Sequence, residues 1–355
     1  MAIQQVRREP SWHVRLAAGL VASLALVVAA CGGGATPSPS AAPTAAATPT
    51  PAGLPTPEAG TFRMGTEPWL GYGPWWVADS KGLFKLNGVD TKISMFTTDD
   101  EINAALVAGQ IDGANIATHT ALRLKAAGTP IKIVLVLDQS NEADAILAGP
   151  GIQSIADLKG KKVAYEEGTT SDILLRYALA QNGMTLDDIV KVPTPAADAG
   201  AAAIAKRVDA AVTYEPYLTS ALNQDKDFKL LYTAKERPGI IGDVFAVRED
   251  VLKERPGQIL ALLNTWGDAV GYYRSNTADA QGIIEKAVGA SAGDLKTAFD
   301  GVLLYDLAEA KALMTGDYLA TMADVKKIAT DAGILTEEVD EKAMVDTEFI
   351  DQVVP

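Results

Sequence analysis

Short runs of buried-type hydrophobic positions alternate with helix-period segments along residues 62–213. Residues 62–66 read as a strand and residues 74–81 as a helix stopped by Gly82. Residues 89–96 alternate as a strand, and Asp99 or Asp100 can cap a helix carrying Ile102, Leu106 and Val107. Segments 111–116, 131–137, 162–165 and 208–213 are short apolar runs of the buried-strand type, with helical stretches at 171–182 and 198–207 between them. Strands and helices alternating at this spacing predict an α/β chain with parallel sheets. From Arg248 onward the pattern is nearly all helical, over 256–274, 278–288, 294–299 and 318–332.

An internal echo sharpens the picture. Gly109-Gln-Ile-Asp-Gly-Ala-Asn-Ile116 resembles Lys206-Arg-Val-Asp-Ala-Ala-Val-Thr213: a helix end, a β-branched residue, Asp, two small residues, then a strand. Each leads into polar or aromatic residues at a strand's C-terminal end, Thr118 and His119 in one case, Tyr214 and Glu215 in the other. Ligands collect outside such strand ends in open α/β sheets. Two sheets facing one another would make a cleft.

The N-terminal pattern is different. Arg7, Arg8 and Arg15 precede an apolar and small-residue run over 16–30, which ends Val28-Ala-Ala-Cys31-Gly32. A charged start, a short apolar stretch and small residues at the cut describe a secretory signal peptide over residues 1–30. The run is short for a membrane-spanning helix. Cys31, the only cysteine in the chain, follows the small residues as in the lipobox of bacterial lipoproteins, so lipidation at Cys31 and a membrane anchor are expected. Residues 32–60 hold seven prolines, one charge (Glu58) and no aromatic residue. With Cys31 they read as a disordered linker, too poor in apolar surface to offset its ordering entropy.

Removing residues 1–30 leaves 28 basic and 44 acidic side chains, a net of −16. That acidity argues against nucleic acid or anionic headgroups as partners. The stretch after Gly60 is long enough for two lobes. Only His119 remains among the histidines, with no second cysteine and no zinc-like or triad spacing, so an extracytoplasmic enzyme is disfavoured and no cofactor or metal is expected.

Trp69-Leu-Gly-Tyr-Gly-Pro-Trp-Trp-Val-Ala-Asp-Ser-Lys-Gly-Leu-Phe84 resembles the opening of solute-binding proteins of the nitrate/taurine/aliphatic-sulfonate type, which feed ABC importers. Ala108-Gly-Gln-Ile-Asp-Gly-Ala114, Ile155-Ala-Asp-Leu-Lys-Gly-Lys-Lys-Val-Ala-Tyr165 and Val208-Asp-Ala-Ala-Val-Thr-Tyr-Glu-Pro216 follow in family order, and the resemblance covers about 61–349. It implies a two-lobed periplasmic-binding-protein fold (type II) with two hinge crossings. Lobe one would be 61–149 plus 243–355 and lobe two 150–242, with crossings near 149–152 and 240–243. It also implies a monomer that binds a small molecule between its lobes, works with permease subunits outside the cytoplasmic membrane, and touches the membrane only through its lipid. The related pyrimidine-synthesising proteins carry a cysteine cluster that this chain lacks.

Several residues compete for the site. Trp69 and Tyr72 occupy a Gly-rich loop after the first strand and suit an aromatic wall, whereas Trp75 and Trp76 suit the core. Asp138 stands at a strand's C-terminal edge, with Ser140 just beyond, but Asp also caps turns there. Glu167 is preferred over Glu166 as the inward carboxylate of the strand–helix loop that contains Thr169. Free amides over 168–171 could instead hold an anion. Tyr214 and Glu215 follow another strand, although Glu215 can equally cap the helix begun at Pro216. Asp243 lies in an apolar run, where a carboxylate is costly unless paired. Thr118 completes the set.

Asp138, Glu167, Glu215 and Asp243 are acidic, and no candidate strand end presents an arginine. A small nitrogen-containing cation, guanidine- or amine-like, fits converging carboxylates and aromatic rings. Residues 137–146 and Tyr165-Glu-Glu-Gly168 resemble a branch associated with urea-carboxylase gene regions, although Glu142 stands where that branch has glycine. Taurine, an alkanesulfonate or nitrate is the alternative ligand within the class, and a sensor subunit is the alternative role.

Overall fold

The computed structural model describes residues 53–354. Cys31 and the signal-peptide reading lie outside the described residues. Among the described residues eleven strands form two sheets. The first contains β1 (Thr61–Thr66), β2 (Asp90–Met95), β3 (Gly113–Ala117), β4 (Ile131–Ser140), β10 (Gly242–Arg248) and β11 (Val302–Leu304), in the order β11-β4-β10-β3-β1-β2. The second contains β5 (Asp144–Ala148), β6 (Lys162–Tyr165), β7 (Val190–Pro193), β8 (Ala210–Tyr214) and β9 (Lys229–Thr233), in the order β7-β6-β8-β5-β9.

The two sheets repeat one plan. In each, three neighbouring strands run parallel, one antiparallel strand (β10 or β5) lies beside the third, and further strands lie beyond it, β4 and β11 in the first sheet and β9 in the second. This explains the sequence echo physically. Asp112, before β3, accepts the Arg63 amide at 2.8 Å, and its own amide donates to the Arg63 carbonyl. Asp209, before β8, makes the same pair of bonds with Lys162, its carboxylate accepting the amide at 2.8 Å. The repeated Asp registers the third strand against the first in both sheets.

The chain enters the second sheet earlier than the sequence suggests. β4 ends at Ser140 and β5 pairs with β8 and β9, so the first crossing is at 141–143 and not at 149–152. Four apolar residues after an aspartate and a polar turn gave no sign of which sheet they would join. The return crossing runs through 234–241, between β9 and β10.

After β10 the chain is largely helical: Glu249–Glu254, Pro256–Ser275, Thr277–Ala287, Leu307–Thr315, Tyr318–Asp331 and Glu348–Val353. Residues 294–299, expected as a helix, form turns that end in a single tight helical turn at Ala298–Gly301. Trp75 stacks on Phe84 and packs against Phe245 and Trp266, with ring centroids 5.0–6.0 Å apart. Its indole donates to Asn115 (2.9 Å), whose amide donates to the Gly65 carbonyl. The cluster joins the helices Gly73–Lys81 and Pro256–Ser275 to the first sheet.

The end of the expected linker is docked. Glu58 accepts the amides of Gly257 (3.2 Å) and Gln258 (3.0 Å), the free donors that begin the Pro256–Ser275 helix. Gln258 returns two bonds to the carbonyls of Glu58 and Gly60, and Leu54 packs on the core. The lone charge in an otherwise neutral segment is a helix cap. Among the described residues no helix is long and apolar enough to cross a membrane.

Candidate ligand-binding site

Strand ends from both sheets converge on one small cavity. It has about 30 Å³ open to the centre of a water molecule, room for about two waters. β1 supplies Glu67, the residue just beyond its end, and the following loop supplies Trp69 and Tyr72. β3 ends at Ala117 against the cavity, and Asp243, the second residue of β10, lies there too. From the second sheet come Asp144, opening β5, and Tyr214, closing β8. Asp99, in the first turn of the Asp99–Val107 helix, and Thr170 complete the ring.

The walls are rigidly connected. The Trp69 indole donates to Asp138 at 3.1 Å, and the Tyr72 hydroxyl donates to Asp243 at 3.0 Å. Asp138 and Asp243 face each other across the β4–β10 ladder. Trp69 meets Tyr214 edge to face, with centroids 5.9 Å apart. Gly71 must be glycine, since a Cβ there would run into the Asp138 carboxylate and the Trp69 indole.

No lysine or arginine lines the cavity among the described residues, while Glu67, Asp99, Asp144 and Asp243 do. The nearby Arg123 favours the charged form of Asp99 against the effect of burial. One oxygen each of Glu67 and Asp144 is buried with no hydrogen-bond partner among the described residues. Burial therefore raises the whole group. Glu67 and Asp138 are pushed well above the carboxylate range, each further raised by neighbouring carboxylates. Burial pushes Asp144 up to about 8 and Asp243 to about 6, the latter held lower by its hydrogen bond with Asp138 and by the one from Tyr72. Unfilled acceptors of this kind are costly, and a bound donor relieves them.

Of the ten expected site residues, Trp69, Tyr72, Tyr214 and Asp243 line the cavity. Asp138 lies behind Trp69. The others serve other ends. Thr118 donates to the Gly242 carbonyl (2.9 Å), with the Tyr318 hydroxyl 3.1 Å away. Ser140 accepts the Asp144 amide at 3.0 Å across the first crossing. Thr169 caps the Thr170–Gln181 helix, leaving Thr170 at the cavity. Glu215 gives both oxygens to Thr219, the capping role, and does not line the cavity.

Glu167 is a correction. It is exposed and accepts from the Tyr165 hydroxyl, whereas Glu166 is half-buried, accepts the Ala196 amide and is pushed up to about 7 by burial. The positive-φ Gly168 turns the loop after them, and no periodicity in a loop reveals which neighbour faces in. Glu67, Asp99 and Asp144 escape the sequence reading. Glu67 carried a usable signal, since it directly follows β1 at the C-terminal end of a parallel strand.

The model of the NMT1/THI5-like family matches residues 70–280, which include Tyr72, Asp99, Asp144, Tyr214 and Asp243. The chain belongs to the NMT1/THI5-like family. A protein of Brucella abortus (strain 2308) that carries a binding-protein name is 30% identical over 230 residues, covering 62% of this chain and 69% of its own. The crystal structure of the periplasmic aliphatic sulphonate binding protein SsuA from Escherichia coli superposes with a TM-score of 0.69 at 23% identity, over 81% of this chain and 97% of that one. The fold of this NMT1/THI5-like chain is thus the periplasmic-binding-protein fold. A shorter stretch of 135 residues, 37% of this chain and 39% of the relative, is 30% identical to a 4-amino-5-hydroxymethyl-2-methylpyrimidine phosphate synthase of Saccharomyces cerevisiae. Among the described residues no group of three His, Cys, Asp or Glu side chains is placed to hold a metal ion.

Proposed function

We propose that this protein is the extracytoplasmic solute-binding component of an ABC importer, and that it captures a small nitrogen-containing cation between its lobes. The observation that carries the reading is that Glu67 and Asp144, which line the cavity, each keep a buried carboxylate oxygen with no donor among the described residues, and that no lysine or arginine among those residues lines it. A cation bearing N–H groups supplies both the charge and the donors. Trp69, Tyr72 and Tyr214 add aromatic faces against it. Lipid attachment at Cys31 would hold the protein at the outer face of the membrane, where the closed form meets the permease as a monomer.

The second reading is a sulfonate, taurine or nitrate ligand, favoured by the likeness to the E. coli sulphonate binding protein and by Thr170 at the cavity. Two of the amides over 168–171 are already occupied: Gly168 donates to Asp172 at 2.9 Å and Ser171 to Thr169 at 3.3 Å. The Arg123 guanidinium stands beside Gly168, but an anion in the cavity would still face the carboxylates with no lysine or arginine lining it among the described residues.

A melting-temperature panel with guanidinium, methylammonium, taurine, an alkanesulfonate and nitrate separates the readings. A ligand at a thousand times its dissociation constant adds about 4 kcal/mol, a shift of about 6 °C for a body of this size. A shift with the cations alone is expected. A shift with the sulfonates alone would reject the cation reading.

A further inference from the structure

Positive charge and aromatic walls do not by themselves distinguish a guanidinium or primary ammonium from a quaternary ammonium, because an aromatic cage takes either. The unpartnered acceptors do distinguish them. Glu67 is 8% exposed and Asp144 3% exposed, both line the cavity, and each has a buried oxygen with no partner among the described residues.

Resting on the cation reading, we infer that Glu67 and Asp144 are specificity-determining residues that select cations bearing N–H donors and reject those whose nitrogen is fully methylated. The two carboxylates come from opposite sheets, Glu67 beyond β1 and Asp144 at the start of β5. An N–H cation that bonds to both is gripped by both lobes, and so draws them together as it fills the two acceptors. A quaternary ammonium satisfies the charge but leaves each oxygen dry, the costly outcome for a buried acceptor. The Trp69–Tyr214 edge-to-face pair, which also spans the two lobes, bounds the same space.

The test is calorimetric titration of the intact protein with guanidinium, methylammonium and tetramethylammonium, repeated on Glu67→Gln and Asp144→Asn. Guanidinium is expected to bind at least about a hundredfold tighter than tetramethylammonium. Each variant should weaken guanidinium about tenfold or more and narrow that ratio, since an amide keeps the side chain's size while removing charge and one acceptor. Circular dichroism and melting confirm that each variant folds. Equal binding of guanidinium and tetramethylammonium would overturn the inference while leaving the cation reading standing. A ratio unchanged in both variants would mean that cavity size does the selecting, and would also overturn it. Failure of every cation to bind would remove the reading on which it rests.

Discussion

Asp243 is held by the Tyr72 hydroxyl and faces Asp138 across the ladder, in a strand whose neighbours Val244 to Val247 are fully buried. A buried carboxylate with no cation is a stability cost that only the ligand offsets. Asp243→Asn should therefore raise the melting temperature of the free protein at pH 8 by a few degrees, about 1–2 kcal/mol, and abolish the ligand-induced shift. An unchanged ligand shift in a folded variant would contradict this role. Gly71→Ala should act the other way, because the new methyl displaces Asp138 and Trp69 together. We expect a loss of about 1–3 kcal/mol of stability and weaker ligand binding, read by melting and titration. At this scale the sequence showed Trp69, Tyr72, Tyr214 and Asp243 because each adjoins a recognisable strand. Asp99 was hidden by its resemblance to a helix cap, a role that falls to Thr98, whose side chain accepts the Glu101 amide. Asp144 was hidden because it reads as loop until its pairing partners are known.

Among the elements, the buried strands were legible from their apolar runs and the edge strand β2 from its alternation, but the edge strands of the second sheet were not. β7 and β9 lie at the two edges of the second sheet with mostly exposed or half-buried residues, so their sequences lack a buried run. β5 is fully buried, yet its partners β8 and β9 lie far along the chain, and local pattern cannot assign them. The cap from Glu58 is likewise a long-range contact, across about two hundred residues of sequence. Glu58→Ala should cost about 1 kcal/mol, seen as a melting temperature lower by about 1–2 °C with ligand affinity unchanged. An unaltered melting temperature would mean that residues 54–60 contribute nothing to the helix they cap.

For the whole molecule, the two lobes bring carboxylates together that neither would gather alone, and pH reads the consequence. Burial raises Asp243 to about 6, Glu166 to about 7 and Asp144 to about 8. A carboxylate raised on folding contributes stability that is fully present below its unfolded pKa, near 4, and is lost as pH rises through the folded value. The free protein should therefore lose stability between pH 5 and about 8.5. Asp112 behaves oppositely: burial pushes it up, but Arg63 and Arg255 overcome that and hold it below the ordinary range, so its contribution is lost only on strong acidification.

The same protons set the ligand's pH dependence. A cation binds the ionised cluster, so its affinity should rise with pH while protons are released. An anion would gain affinity as the carboxylates protonate. Titration of guanidinium and of taurine at pH 6 and pH 8, each in two buffers of different ionisation enthalpy, tests this most directly. Guanidinium affinity rising about tenfold or more from pH 6 to pH 8, with net proton release, is the predicted result. Binding of taurine alone, or affinity that rises toward acid with proton uptake, would contradict a cation-binding cleft.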